Sequence, residues 1–434
     1  MRFRAALLLV GALAPAPGCT LTGPPGAPAL PAAPAAGAAL PVVERGDLEP
    51  DYDRLPAFDL DRPDEPPPAY RYRGLSEFDC QCLAVEASEL GNLLEGEDRA
   101  QPPPRGHGKQ RHAAERAADF RRTVRALAAA EARNRDAGTA LELYYDLARA
   151  EASADVLRLS REELEQTLVK AKAAREQGIP LPVDYEELRR QRIELELKYV
   201  EAESAVGLLN AELDRRLRLD LAEPAERVWP LKEWYVPLEE VDAGPAVAVA
   251  LQRRPELRML RYVLHELDED TLPAVRELLG SINGLLGSSP EAEPVSAVAL
   301  LLLKCLERGG DGEVAARRAQ VAGLLAERER AAAADVRQAV RSLNAQARQV
   351  ALAREKARNW ERHKAEVEKR VREGVGSSFE LSGAVLRWHE ARVGVIEEVV
   401  AWEKARVRLR RAQGVFTDEC RGAGGDPAHG ACPA

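Results

Sequence analysis

The chain has few of the residues that build thick globular cores. Aromatic residues make up 5% of its 434 residues, and methionine occurs only 2 times. Charged residues reach 31%, and alanine, leucine, glutamate and arginine dominate the middle of the chain. This balance, combined with helical periodicity, is typical of long helices and coiled coils. We therefore predict a mainly α fold with little or no β-structure.

Recognisable catalytic and metal-binding patterns are also missing. The 6 histidines are scattered, and none forms a pair at helical spacing with carboxylate support. His363 and His389 fall at positions that we expect to be exposed on helices. The serines lack the elbow motif of hydrolases, and the glycines of RGHGK lack the strand–loop–helix setting of a phosphate loop. We expect no enzyme activity, no cofactor and no metal site.

No stretch of the chain is dominated by one sign of charge. Its 62 lysines and arginines and 71 aspartates and glutamates give a formal net charge of −9. Both signs are interspersed along the helical patterns, which predicts solvated helical surfaces and argues against nucleic-acid binding.

The apolar run at the N-terminus is too short to span a bilayer. MRFRAALLLVGALAPAPGC combines two arginines, a short apolar run and small residues, which is the order of a secretory signal. APGC is similar to a bacterial lipobox, so we predict a lipoprotein-type signal peptide at residues 1–18 and lipidation of Cys19. Plain cleavage near Ala16 is the alternative. Thr20, in place of aspartate, indicates the outer membrane.

Prolines and glycines divide the rest of the chain. Residues 19–74 are rich in proline and alanine and then acidic, which predicts a disordered spacer. We place a first helical repeat at 75–222, a proline-punctuated connector at 223–245 and a second helical repeat at 246–414. Residues 415–434 form a flexible tail that contains cysteine and glycine.

The cysteines of the tail predict one disulfide. Cys420 and Cys432 flank CRGAGGDPAHGAC, which is flexible enough to close a loop in an oxidising compartment. We expect buried or free thiols at Cys80, Cys82 and Cys305, because the CQC spacing is too tight for a zinc knuckle.

The connector carries an aromatic cluster, formed by Trp229, Trp234 and Tyr235. We expect these rings to pack the connector against the helices, and a membrane interface is the alternative.

The two halves of the chain repeat one order: short helix, long helix, glycine turn and return helix. LAVEASEL and VALQRRPEL open the two halves. Gly178 stands 35 residues before Leu213, and Gly374 stands 35 residues before Leu409. Such duplication predicts two long antiparallel helical hairpins with coiled-coil packing. The predicted buried stripe of the second long helix is Val336, Val340, Leu343, Ala347, Val350, Ala353, Ala357, Trp360, Val367 and Val371.

Three stretches of the second half resemble the TolC-type outer-membrane efflux family. PLEEVDAGPAVAVALQRRPELRMLR (237–261) is similar to the opening of the family's second repeat. REGVGSSFELSGAVLRWHEAR (372–392) is similar to its helix-to-helix turn, and ARVRLRRAQG (405–414) to the close of the repeat. The resemblance covers most of residues 75–414 and implies a TolC-like α-barrel subunit.

The resemblance also implies partners and a place in the cell. Members of the family are homotrimers whose long helices build a periplasmic tunnel, and they work with a periplasmic adaptor protein and an inner-membrane transporter. By resemblance, the adaptor docks at the turns, formed here by Gly178 and by Gly374, Val375, Gly376 and Ser377. The implied protein is an outer-membrane lipoprotein that faces the periplasm and passes substrates without chemistry.

The chain departs from the family where membrane strands are expected. These strands should lie at about residues 95–110 and 273–312, yet neither segment alternates apolar and polar residues as membrane strands do. The membrane strands are therefore predicted to be lost or degenerate. The alternative function is a periplasmic coiled-coil lipoprotein without a pore, which acts as an envelope scaffold or adaptor.

Overall fold

The first half of the chain folds into two short helices followed by a long hairpin. Helices α1 (Glu77–Ala87) and α2 (Glu89–Ala100) are separated by a single non-helical residue, Ser88. Helix α3 (Lys109–Glu176) has 68 residues, and α4 (Tyr185–Leu217) packs along it as the return helix.

The second half repeats this order. Helices α5 (Ala243–Arg253) and α6 (Pro255–Glu266) have 11 and 12 residues, as α1 and α2 do. Helices α7 (Asp311–Arg372) and α8 (Ser378–Gln413) form the second hairpin. A short helix, α9 (Phe416–Ala423), follows. The mainly α fold and the two long hairpins are confirmed, and the matching order and lengths are what the predicted repeat requires.

These helices come from a computed structural model that describes residues 42–43, 70–100, 107–179, 184–222, 226–231, 236–237, 239–275 and 311–423. All of them belong to one compact unit, Gly37–Ala434. Over these ranges, no helix combines the length and the apolar character needed to cross a membrane.

A small sheet joins the starts of the two halves. Strand β2 (Arg71–Ser76) pairs in parallel with β3 (Glu226–Leu231), so that Arg71 lies opposite Glu226. Strand β1 (Val42–Val43) pairs antiparallel with the other edge of β2. Tyr72 and Trp229 contact each other edge to face at 5.2 Å between ring centroids.

Trp229 therefore packs the connector into the fold, as predicted for its side chain. It is buried in β3, whereas Trp234 and Tyr235 lie outside the described residues. The strands β1 and β2 also show that parts of the predicted spacer, 42–43 and 71–74, pair within the sheet. The remainder of the predicted disordered spacer lies outside the described residues.

The largest core of the described residues lies midway along α3, where large apolar and aromatic side chains are packed between the helices. Leu141, Tyr144, Tyr145 and Leu147 are fully buried there. The Tyr144 hydroxyl donates a hydrogen bond of 3.0 Å to the carbonyl oxygen of Leu231. A buried tyrosine needs such a partner, and this bond ties the long helix to the sheet.

Helical periodicity predicted the packing faces correctly. Seven residues of the predicted stripe of α7 are buried, namely Val336, Val340, Leu343, Ala347, Val350, Ala357 and Val367. Ala353, Trp360 and Val371 are half-buried. Leu213 and Leu409, at the same distance beyond the two turns, are both buried in the main core.

The predicted disulfide between Cys420 and Cys432 is wrong. Cys420 is bonded to Cys82, with 5.4 Å between their Cα atoms, and Cys80 is the buried free thiol. The prediction failed because the tail does not begin at residue 415. Helix α9 folds back onto α1 instead and brings Cys420 to Cys82. Cys305 and Cys432 lie outside the described residues.

The segments expected to hold membrane strands are described only in part. Residues 95–100 belong to α2, and residues 109–110 begin α3. Residues 101–106 and 276–310 lie outside the described residues. The loss or degeneration of membrane strands there stays a prediction.

Candidate docking turns at the ends of the hairpins

The first turn ends α3 with a glycine in the left-handed conformation. Gly178 has φ +70°. Its N–H donates to the carbonyl oxygen of Arg175 at 3.1 Å, and the N–H of Ile179 donates to that of Ala174 at 2.9 Å. These two bonds form a Schellman motif, which satisfies carbonyl groups that the helix end would leave unpaired.

The second turn ends α7 in the same way. Gly374 has φ +76°. Its N–H donates to the carbonyl oxygen of Val371 at 3.1 Å, and the N–H of Val375 donates to that of Arg370 at 3.0 Å. The two hairpins therefore end their outgoing helices with one shared geometry, in which glycine supplies the positive φ.

Gly376 is required for a different reason. A Cβ atom on this residue would lie 2.9 Å from the backbone nitrogen of Val371, closer than real side chains come. Gly374 and Gly178 have open space around the same position. Gly178 and Gly374 thus supply the positive φ of the turns, whereas Gly376 is needed because its own backbone passes close to Val371.

The return helices begin with matching caps. The Asp184 side chain accepts a hydrogen bond of 3.0 Å from the N–H of Glu186. The Ser377 hydroxyl accepts one of 3.2 Å from the N–H of Phe379. Each cap satisfies one of the free N–H groups at a helix start, so each reversal is fixed from both sides.

Ion pairs close both turns at their bases. Arg175 lies 4.0 Å from Glu186 across the first turn, and Arg370 pairs with Glu380 across the second. In the first return helix, hydrogen bonds from Arg190 and Gln191 lower the pKa of Glu187. These groups are exposed, so their ion pairs add little to the stability of the fold. We infer that they orient the turns.

Among the described residues of each turn, one apolar side chain is exposed. Ile179 is 52% exposed and Val375 is 80% exposed. In a Schellman motif this position commonly packs against its own helix. Here the apolar group instead faces solvent at both turns.

The structure brings the two turns together at one end of the hairpins. Phe379, at the start of α8, packs into a cluster with Leu164 and Ala171 of α3 and Leu188 of α4. Tyr185, at the start of α4, belongs to the same cluster. All the turn residues predicted from the sequence therefore lie within one region.

Beyond the turns, polar side chains line the seam between α3 and α8. The Thr167 hydroxyl donates to that of Ser382 at 2.7 Å, and Ser382 donates to the Glu163 carboxylate at 2.8 Å. One step further, Ser160 Oγ and His389 Nδ1 lie 3.0 Å apart. Buried polar groups paired in this way fix the register of two helices.

The prediction that His389 is exposed is wrong. His389 is buried, because α8 packs against α3 as well as against α7. Burial, with smaller contributions from Arg392 and Lys364, lowers its pKa to about 3. The imidazole is therefore neutral at ordinary pH. His363 is exposed, as predicted.

No group of three or more histidine, cysteine, aspartate or glutamate side chains is placed to hold a metal ion within the residues that the structure describes. Cys19, the predicted lipid site, lies outside them.

The fold is that of TolC-type outer-membrane channels. The Campylobacter jejuni CmeC outer membrane channel is 12% identical, with a TM-score of 0.53 over 78% of this chain and 85% of that chain. The open state of the Neisseria gonorrhoeae MtrE outer membrane channel is 15% identical, with a TM-score of 0.53 over 78% and 88%. The outer-membrane channel OprN is 13% identical, with a TM-score of 0.53 over 78% and 91%.

No family profile matches this chain, and no curated protein matches it significantly. The structural likeness confirms the resemblance found in the sequence at the level of the fold.

Proposed function

We propose that this protein is a TolC-like component of an efflux or export system of the outer membrane. It passes substrates through a helical periplasmic tunnel and performs no chemistry. The observation that carries this proposal is the pair of matching turns at one end of the hairpins, each with an exposed apolar side chain. Similar solved structures are outer-membrane channels, which supports the same assignment.

The turns are the proposed docking site for the helical hairpin of a periplasmic adaptor, which connects to an inner-membrane transporter. Ile179 and Val375 supply apolar contact area, and the glycines let a partner helix approach the backbone. The surrounding ion pairs hold both turns in one orientation before the partner arrives, which lowers the entropic cost of binding.

A homotrimer is the proposed assembly. Helix α4 has exposed apolar side chains that recur at helical steps and so share one face: Ile193 at 60%, Leu197 at 61%, Val200 at 57% and Leu208 at 71% exposed. An apolar stripe of this length indicates a contact surface. Light scattering of the purified protein should give the mass of three subunits, and Leu197→Glu with Val200→Glu should give the mass of one subunit.

Lipidation of Cys19 is the proposed anchor in the outer membrane. Mass spectrometry of the mature N-terminus tests it, because a lipid-modified cysteine as the first residue is expected. An unmodified mature N-terminus near Ala16 would indicate plain signal cleavage and would rule out the lipid anchor.

The second candidate is an envelope scaffold without a pore. It is favoured by residues 95–100, which belong to helix α2 where the family has membrane strands. Conductance in planar bilayers distinguishes the two functions. Discrete conductance steps from the purified full-length protein are expected for the efflux component. Folded protein that associates with the bilayer and gives no steps would favour the scaffold.

A further inference from the structure

The C-terminal helix α9 contacts helices from both halves of the chain. Phe416 is fully buried, and its N–H lies 3.4 Å from the Asn134 side-chain oxygen of α3. The Thr417 hydroxyl donates to the carbonyl oxygen of Ala130 at 3.1 Å. The first turn of α9 is therefore anchored by burial and by α3.

The same helix is fastened to α1 by polar contacts. Gln81 donates hydrogen bonds to the carbonyl oxygen of Phe416 at 3.1 Å and to the Glu419 carboxylate at 3.0 Å. Arg410 of α8 also pairs with Glu419. Glu419 thus lies between α1 and α8, close to the end of the helix.

The covalent link lies at this end of α9. The disulfide between Cys82 and Cys420 spans 338 residues of the sequence. It joins the first helix of the first half to the segment that follows the second half. A helix of eight residues is too short to be stable alone in water. The last turn of α9 therefore depends on its contacts with neighbouring helices.

The neighbouring Cys80 does not compete for this bond. Its thiol is buried, and burial, reinforced by Glu77 and Asp79, raises its pKa far above the usual value. A thiol attacks a disulfide only as the thiolate. Burial of the Cys80 thiol therefore disfavours its attack on the bond between Cys82 and Cys420.

We propose that α9 is a redox-sensitive clasp between the two halves of the chain. The disulfide holds the last turn of α9 against α1, and reduction releases that turn while Phe416 keeps the first turn in place. Closing the clasp removes two electrons and two protons from the two thiols. An oxidised protein disulfide of the cell envelope accepts them and becomes a dithiol, and a dithiol reductant reverses the reaction.

Hydrogen exchange on the full-length protein, with and without dithiothreitol, tests this proposal. In the reduced protein we expect the backbone amides of residues 419 and 420 to exchange about tenfold faster or more, as expected for local opening. The amide of Phe416, which faces the Asn134 side-chain oxygen, should keep its protection. Equal exchange at residues 419 and 420 in the two states, with reduction verified by mass, would overturn the clasp. Loss of protection along the whole chain would also overturn it, because the disulfide would then stabilise the entire fold.

Two variants separate the clasp from a general effect of reductant. Cys420→Ser should show the fast exchange under oxidising conditions, and dithiothreitol should not change it further. Cys80→Ser is the matched control and should respond to dithiothreitol as the wild type does. Peptide mapping without reductant should recover Cys82 linked to Cys420. Recovery of Cys420 linked to Cys432 would contradict the proposal.

Discussion

The short helices that open the two halves have the same lengths and very different burial. SEL at residues 88–90 and PEL at 255–257 occupy equivalent positions. Leu257 and Leu260 are 0% and 1% exposed in α6, whereas Leu90 and Leu93 are 46% and 68% exposed in α2.

The difference in burial comes from the helices that pack against α2 and α6. Leu260 of α6 belongs to a cluster with Phe120 and Val124 of α3 and Val321 of α7. Helix α6 thus lies between the long helices of both halves, while α2 packs mainly on α3. The second half closes onto the first within one chain, and the first half leaves the equivalent face open. In the proposed trimer, we expect a second copy to cover that face.

Truncation of the two equivalent leucines gives the largest expected contrast. Leu260→Ala should lower the free energy of unfolding by about 2–5 kcal/mol, because it leaves a cavity among α3, α6 and α7. Leu93→Ala should change it by about 0.5 kcal/mol or less, as exposed positions do. Urea unfolding followed by circular dichroism measures both. Equal losses would show that the two halves are packed alike and would contradict the comparison.

The two turns should respond equally to loss of glycine. Gly178→Ala and Gly374→Ala should each cost about 1–2 kcal/mol, because alanine is strained at positive φ. Gly207→Ala is the matched control, because this exposed glycine lies inside α4 with open space around it. That change should stabilise the helix by about 0.5–1 kcal/mol. Thermal unfolding shows whether each variant is more or less stable than the wild type. Destabilisation at only one of the two turns would contradict the equivalence of the hairpins.

A half-buried carboxyl group gives the last contrast, which depends on pH. Burial, followed by the neighbouring Glu256, raises the pKa of Glu131 to about 8. The folded state therefore favours the protonated form. Its contribution to stability is complete below the unfolded value of 4.5 and is lost as the pH rises towards 8. Glu131→Gln should stabilise the protein at pH 8 and leave it unchanged at pH 4.

Melting temperatures at the two pH values measure this effect. Glu89→Gln is the control from the first half, because the Glu89 side chain is 82% exposed, and its effect should be the same at both pH values. A stabilisation by Glu131→Gln at pH 4 that equals the one at pH 8 would assign the effect to packing rather than to ionisation.

The turns were predictable from the sequence because their cause is local. A long helix must end where a residue takes positive φ, and glycine does so without strain. Gly178 and Gly374 therefore mark both hairpin ends in the sequence. The buried stripe of α7 was predictable for a similar reason, since helical spacing alone places its members on one face.

Features that depend on distant partners were not predictable in this way. His389 is buried by α3, which lies in the other hairpin, and its local pattern contains no trace of that contact. Cys82 reaches Cys420 only because α9 folds back across 338 residues. Cys432 is nearer to Cys420 in the sequence, and the tail between them is rich in glycine. The prediction favoured this pair because closing a short flexible loop costs less entropy than closing a long one.

Both hairpin turns are proposed to dock one partner. Photocrosslinking groups placed singly at Ile179 and Val375 test it in whole cells, with Leu352 as the control. Leu352 is 72% exposed on α7 but lies along the helix, 22 residues before Gly374. We predict that both turn positions crosslink to the same envelope protein and that Leu352 does not. Gly374→Val should remove the crosslinks while helicity is kept. Crosslinks to that protein from Leu352 and from neither turn would rule out docking at the turns and favour a scaffold that binds partners along the sides of its helices.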